Sequence, residues 1–168
     1  PELLAQLTLH RLDLVIADEP VSRKVGVKAF NHALGTSAMS FFCAPSLARQ
    51  LQGPFPQCLH RAPMLIQGPT SSVRQQLDHW FNKYQLQPLI VGEFDDSALR
   101  NAFGREGRGV FTSPSVPEDE TMAQFGVEIV GKTSELVEEF FAISVERRIT
   151  HPCVSAITRV ARAKLFAL

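Results

Sequence analysis

The residues best suited to hold a polar ligand are hydroxyls and carboxylates that follow short apolar runs. Thr70, Ser71 and Ser72 follow Pro63, Met64, Leu65 and Ile66 and open an amphipathic segment. A helix starting there presents unpaired backbone N–H groups and the positive end of its dipole, which favour an anion or a polar oxygen. The plainer role for Thr70 or Ser71 is to cap that helix. Glu93, Phe94, Asp95 and Asp96 follow Leu89, Ile90 and Val91, and Thr112 and Ser113 follow Val110 and Phe111. One aspartate is accounted for as a cap, but the acids around it exceed what capping needs. With Asp18 and Glu19, which follow an earlier apolar run, they make an oxygen-rich negative rim of the kind hard cations accept.

Other chemistries find little support. His10, His32, His60, His79 and His151 are scattered without metal-ligand spacing. Cys58 lies near His60, but no third group orients the pair, so a nucleophile is not indicated. Gly104 to Gly109 is glycine-rich but follows a helix rather than preceding one, unlike a phosphate loop. Arg159, Arg162 and Lys164 are too few for a nucleic-acid footprint. The 168 residues are 45% hydrophobic and 20% charged with zero net charge, an ordinary globular composition that implies no strongly charged partner. No apolar run approaches the ~20 residues of a membrane helix, and the start has no signal-peptide pattern. Cys43, Cys58 and Cys153 are odd in number and widely spaced, which predicts packed free thiols in a reducing, cytoplasmic compartment.

The elements that must position the candidate residues follow from periodicity. Leu3, Leu4 and Leu7 predict a helix to about His10, and Leu12 to Ala17 a buried strand. Val25 to Phe30 and Ser37 to Cys43 read as separate strands. Pro63 to Ile66 is a buried strand, and Val73, Leu77, Trp80, Phe81 and Tyr84 give the next helix its apolar face. Leu89 to Val91 reads as a strand covered on both faces. A helix capped by Asp95 or Asp96 follows, with Ala98, Leu99, Ala102 and Phe103 as its apolar side. Val110 and Phe111 begin the next strand. Glu118, Asp119 and Glu120 start a short helix, Val127 to Val130 and Glu138 to Val145 are two strands, and Pro152 opens a final helix packed through Val154, Ile157, Ala161 and Leu165. Trp80, Phe81, Leu77, Ile90, Val91 and Phe103 are expected to share one core. Right-handed crossovers should bring the carboxyl ends of the middle strands to one edge, where open α/β sheets bind ligands.

The stretch from Gly92 to Gly104, the pair Trp80 and Phe81, Phe55 to Leu59, His151 to Val154, and Leu12-Asp13-Leu14-Val15-Ile16 together resemble the effector-binding domain of the LysR-type transcriptional regulators. They are most similar to a branch that regulates sodium/proton antiporter genes. The resemblance spans nearly the whole chain and implies an α/β fold like the type 2 periplasmic binding proteins. In that fold two lobes flank a cleft and are joined by two crossover hinge strands. Lobe I would take residues 1–43 and 134–168, lobe II 44–133. Lobe I would lack its first strands, and the winged helix-turn-helix that binds DNA would lie outside this chain. The implied function is sensory rather than enzymatic, without a cofactor or membrane, in a homodimer or tetramer. A small molecule or ion would bind Asp18, Thr70, Ser71, Ser72, Phe94, Asp95, Asp96, Thr112 and Ser113, and sodium, if bound directly, Asp95 and Asp96. The alternative is a solute-binding protein of a transport system with the same lobes.

Overall fold

Short apolar runs in the middle of the chain form three short parallel strands, and two helices connect them. The computed structural model describes residues 2–22, 28–116, 118–147 and 149–164. In chain order its helices are α1 (Glu2–Thr8), α2 (Pro45–Ala48), α3 (Ser72–Lys83), α4 (Ser97–Arg105), α5 (Glu118–Phe125) and α6 (Pro152–Lys164). Its strands are β1 (Val15–Ala17), β2 (Phe30–Cys43), β3 (Pro63–Gln67), β4 (Leu89–Phe94), β5 (Val110–Pro114) and β6 (Glu128–Ser144). The chain divides into two units, residues Pro1–Ser37 with Glu139–Leu168, and Ala38–Glu138. Strands β2 and β6 contribute residues to both.

In the second unit β3 lies between β4 and β5, parallel to both, and β5 pairs antiparallel with β2. Side chains alternate between faces. Phe41, Met64, Ile66 and Val110 face α3 and pack with Leu77 and Trp80. Phe42, Leu65 and Phe111 face the other way, with Val127, Met122 and Phe125. The Trp80 ring stacks on Phe41 at 5.3 Å. In the first unit β1 pairs antiparallel with β6, and Leu7, Val15 and Ile143 form a small core. There α6 packs through Ala161 near Leu34 and Ala142, and Arg162 donates from Nε and Nη2 to the Ala33 carbonyl at 3.0 and 2.7 Å.

Several expectations are corrected. Leu89, Ile90 and Val91 do form a strand, but they are 57, 44 and 54% exposed. Among the described strands β4 pairs with β3 alone, and the register slips between Met64 and Leu65, so the run bulges at a sheet edge instead of lying inside. Helix α4 is rotated from its expected face: Arg100, Asn101 and Gly104 are buried, while Leu99 and Phe103 are exposed. The cause is Gly104, where any Cβ would overlap the Phe111 ring, so the helix lies close to the sheet along that side. Ile90, Val91 and Phe103 therefore do not join the core of Trp80, Phe81 and Leu77.

The two strands expected near the end are one, β6. Its polar middle stays extended because Lys132 pairs with Glu118 and Glu135 accepts from Lys83 and Tyr84. Similarly β2 passes through Gly35 without a break, and the part of the expected strand at residues 25–27 lies outside the described residues. The buried part of the Leu12–Ala17 run shrinks to β1, where Ile16 is exposed, and Leu3 is exposed on α1. On α6 Thr158, not Ile157, is buried beside Val154, its hydroxyl donating to the Val154 carbonyl at 3.0 Å; Leu165 lies outside the described residues.

Candidate functional site

Because β3, β4 and β5 are parallel, Gln67, Phe94 and Pro114 end at one edge of the second unit. Antiparallel β2 brings Ser40 opposite Ser113 and Phe41 opposite Thr112 at the same edge. The Gln67 side-chain amide donates to Thr112 Oγ1 at 3.0 Å, and Thr112 is buried. The Gly68 N–H donates to the Phe94 carbonyl at 3.0 Å, tying the exit of β3 to the end of β4. A Cβ at Gly68 would meet the Asp95 carboxylate, so a larger residue there would push the exposed Asp95 side chain aside. The Phe94 ring is half-buried and meets Phe103 at 5.3 Å.

The two helices that open at this edge begin differently. Asp96 caps α4, its Oδ1 accepting from the Leu99 N–H at 2.7 Å. Ser71 is the N-cap of α3, but its hydroxyl makes no capping bond, which corrects the expected role. Thr70 and Ser72 are exposed. The Arg74 N–H donates to the Ser71 carbonyl at 3.1 Å, so the start of α3 leaves the N–H groups of Ser72 and Val73 and the Ser71 hydroxyl for another partner. Asp18 is exposed, immediately after β1 in the first unit.

Arg74, which periodicity marks only as a polar helix position, organises the β3–β4 side. Its Nη1 donates to the Gln67 carbonyl at 3.0 Å and pairs with Glu93 at 3.1 Å, while its Nε pairs with Asp78 at 3.0 Å. Glu93 is thereby withdrawn from the negative rim. Ser40, fully buried, donates to Glu118 Oε1 at 2.5 Å and lies 2.7 Å from Ser115 Oγ. No local sequence signal marks this trio, because the pairing of β2 with β5 creates it. Arg100 is buried, and burial lowers its pKa to about 10 although Glu138 opposes the shift.

The thiols differ from one another. Cys43 and Cys58 are buried, and burial pushes Cys43 up to about 12, whereas Cys153 is exposed, against the expectation that all three are packed. Among the described residues no three His, Cys, Asp or Glu side chains gather as a metal site. A cavity of about 150 Å³ in the first unit is lined by His10, Asp13, Glu146 and His151, among others, and by none of the predicted ligand residues. No helix among the described residues is long and apolar enough to cross a membrane. The edge of the second unit offers hydroxyls, amides and free N–H groups, an arrangement suited to binding a small polar molecule.

This parallel-stranded α/β unit with ligand-type groups at one edge defines a class: the chain matches the LysR substrate binding domain over residues 1–165 and belongs to that family. It is 35% identical over 165 residues to the transcriptional activator protein NhaR of Escherichia coli, covering 98% of this chain and 54% of that protein. The chain therefore spans about half the length of that relative. Among solved structures it resembles the effector domain of AmpR from Pseudomonas aeruginosa (TM-score 0.67, 17% identity, 94% of this chain and 74% of that one). It also resembles the effector-binding domain of QuiR in complex with shikimate (TM-score 0.63, 15% identity, 96% and 76%). The fold is that of LysR effector-binding domains, and the homologues are transcriptional regulators rather than transport proteins.

Proposed function

We propose that this chain is the sensory, non-catalytic part of a cytoplasmic LysR-family transcriptional activator, and that a small effector binds at the carboxyl edge of β3, β4 and β5. The observation that carries this reading is the uncapped start of α3 beside that edge, where Ser71 makes no capping bond. Thr70, Ser71 and Ser72 would contact the effector, with Phe94, Thr112 and Ser113 on the neighbouring strands. That NhaR is a transcriptional activator supports the regulatory role, and the QuiR complex with shikimate supports a small-molecule effector. DNA would be contacted by a winged helix-turn-helix outside this chain.

Assembly into dimers or tetramers is part of the same proposal. Leu89, Ile90, Val91, Leu99 and Phe103 make an exposed apolar surface along β4 and α4, of the kind that marks protein contacts. Sodium is the alternative effector, with Asp95 and Asp96 supplying oxygens.

Thermal denaturation tests the effector site. A ligand that binds only the folded chain raises the midpoint by mass action. Sodium, lithium and potassium chlorides and small carboxylates are compared at equal ionic strength. Ser71→Ala should reduce the shift caused by whichever solute binds while leaving the unliganded midpoint nearly unchanged, since no cap bond is lost. An undiminished shift in Ser71→Ala would move the site elsewhere.

A further inference from the structure

Arg100 is 4% exposed, and its only hydrogen bond to another described residue's side chain runs from Nη2 to Asn101 Oδ1 at 3.3 Å. Its Nε is buried and has no acceptor among the described residues. Even with its pKa lowered to about 10, the guanidinium remains protonated at neutral pH. Burying a cation with a donor unmatched is costly, so a structural role alone accounts poorly for Arg100.

Its position in the helix points to the candidate site. Helix α4 starts just beyond the carboxyl end of β4 and runs back along the sheet to Gly104, which contacts Phe111. Arg100 lies one turn nearer the start of α4 on the same buried face. The next residue of β5 on the Phe111 face is Ser113, opposite Ser40. The guanidinium therefore belongs to the carboxyl edge of the unit. Glu138 is the carboxylate whose charge acts on Arg100, yet Nε still meets no acceptor among the described residues; Asp96 caps α4, Glu93 pairs with Arg74, and Glu118 holds Ser40 and Lys132. Asp95 is exposed, and a charge in water acts several-fold more weakly than one in the interior.

We propose that Arg100 anchors the effector of this site through an oxyanion, a carboxylate or a phosphate. The Nε and Nη donors of arginine match two oxygens of such a group, and the uncapped start of α3 adds N–H groups of the same polarity. The proposal rests on the effector-site reading above and deepens it by making the effector an acid rather than a metal cation.

The test measures thermal midpoints of the chain and its Arg100→Gln and Arg100→Lys variants. The solutes are potassium acetate, malonate, benzoate and phosphate, and sodium chloride, each against potassium chloride at equal ionic strength. At least one oxyanion should raise the wild-type midpoint saturably, and its identity separates carboxylate from phosphate. Arg100→Gln should weaken that apparent affinity about tenfold or more, the loss expected for a charged hydrogen bond. Arg100→Lys, which keeps the charge without the fork, should fall between, and it carries the test if Arg100→Gln does not fold. Equal oxyanion responses in all three proteins would overturn the proposal, as would no response to any oxyanion. A sodium-specific response that survives in both variants would also overturn it while leaving the effector-domain reading intact.

Discussion

The side chains of Gln67 and Thr112 meet at 3.0 Å across the carboxyl ends of β3 and β5, which lock together at the edge where the candidate ligand groups lie. Thr112 is 1% exposed, so its hydroxyl has no ready access to water if Gln67 is lost. Thr112→Val should lower stability by about 1–2 kcal/mol, combining a lost hydrogen bond with an amide left partly unpaired. A double-mutant cycle with Gln67→Leu, read by urea denaturation, should show coupling. Additive effects would mean the bond contributes nothing.

Trp80 and Phe103 are both large aromatic residues on helices, and burial separates them. Trp80 is 3% exposed and lies against Phe41, Phe55, Phe81 and Tyr84. Trp80→Ala should cost ~3–5 kcal/mol. Phe103 is 44% exposed, and Phe103→Ala should cost less than about 1.5 kcal/mol in the isolated chain. Equal losses in denaturant titrations would contradict this assignment of the core.

Gly104→Ala sets two effects against each other. Alanine favours a helix by about 1 kcal/mol over glycine, but its Cβ would overlap the Phe111 ring, which is itself fully buried. Overpacking of a core contact costs about 1–3 kcal/mol, so the net change should be destabilising. A raised thermal midpoint would show that α4 can shift off the sheet without loss.

The cysteines should react in a fixed order with a thiol reagent at pH 8. Cys153 is exposed and should be labelled in the native chain. Burial raises Cys43 to about 12, so almost no thiolate forms at pH 8, and Cys58 is shifted upward by the same cause. Both should label only after unfolding, since neither thiol is accessible in the folded chain. Cys153→Ser should then leave almost no fast-reacting thiol; a remaining fast phase would count against the packing around Cys43 and Cys58.

Local chemistry was enough to locate the elements around the candidate site. The polar clusters after short apolar runs marked the strand ends, and the acids following Val91 identified the start of α4. Leu77, Trp80 and Phe81, at helical spacing, specified the buried face of α3, because a 3.6-residue period leaves few alternatives. Tertiary packing decided what periodicity leaves open. An apolar run reads the same at a sheet edge as in its middle, so the exposure of Leu89, Ile90 and Val91 depended on which neighbours β4 acquired. Gly104 carries no side chain to appear in a hydrophobic pattern, yet its contact with Phe111 turned α4 so that Leu99 and Phe103 face outward and Arg100 inward. The Ser40–Ser115–Glu118 cluster and the hold of Arg74 on Glu93 join residues far apart in the chain, and only strand pairing and helix placement bring them together.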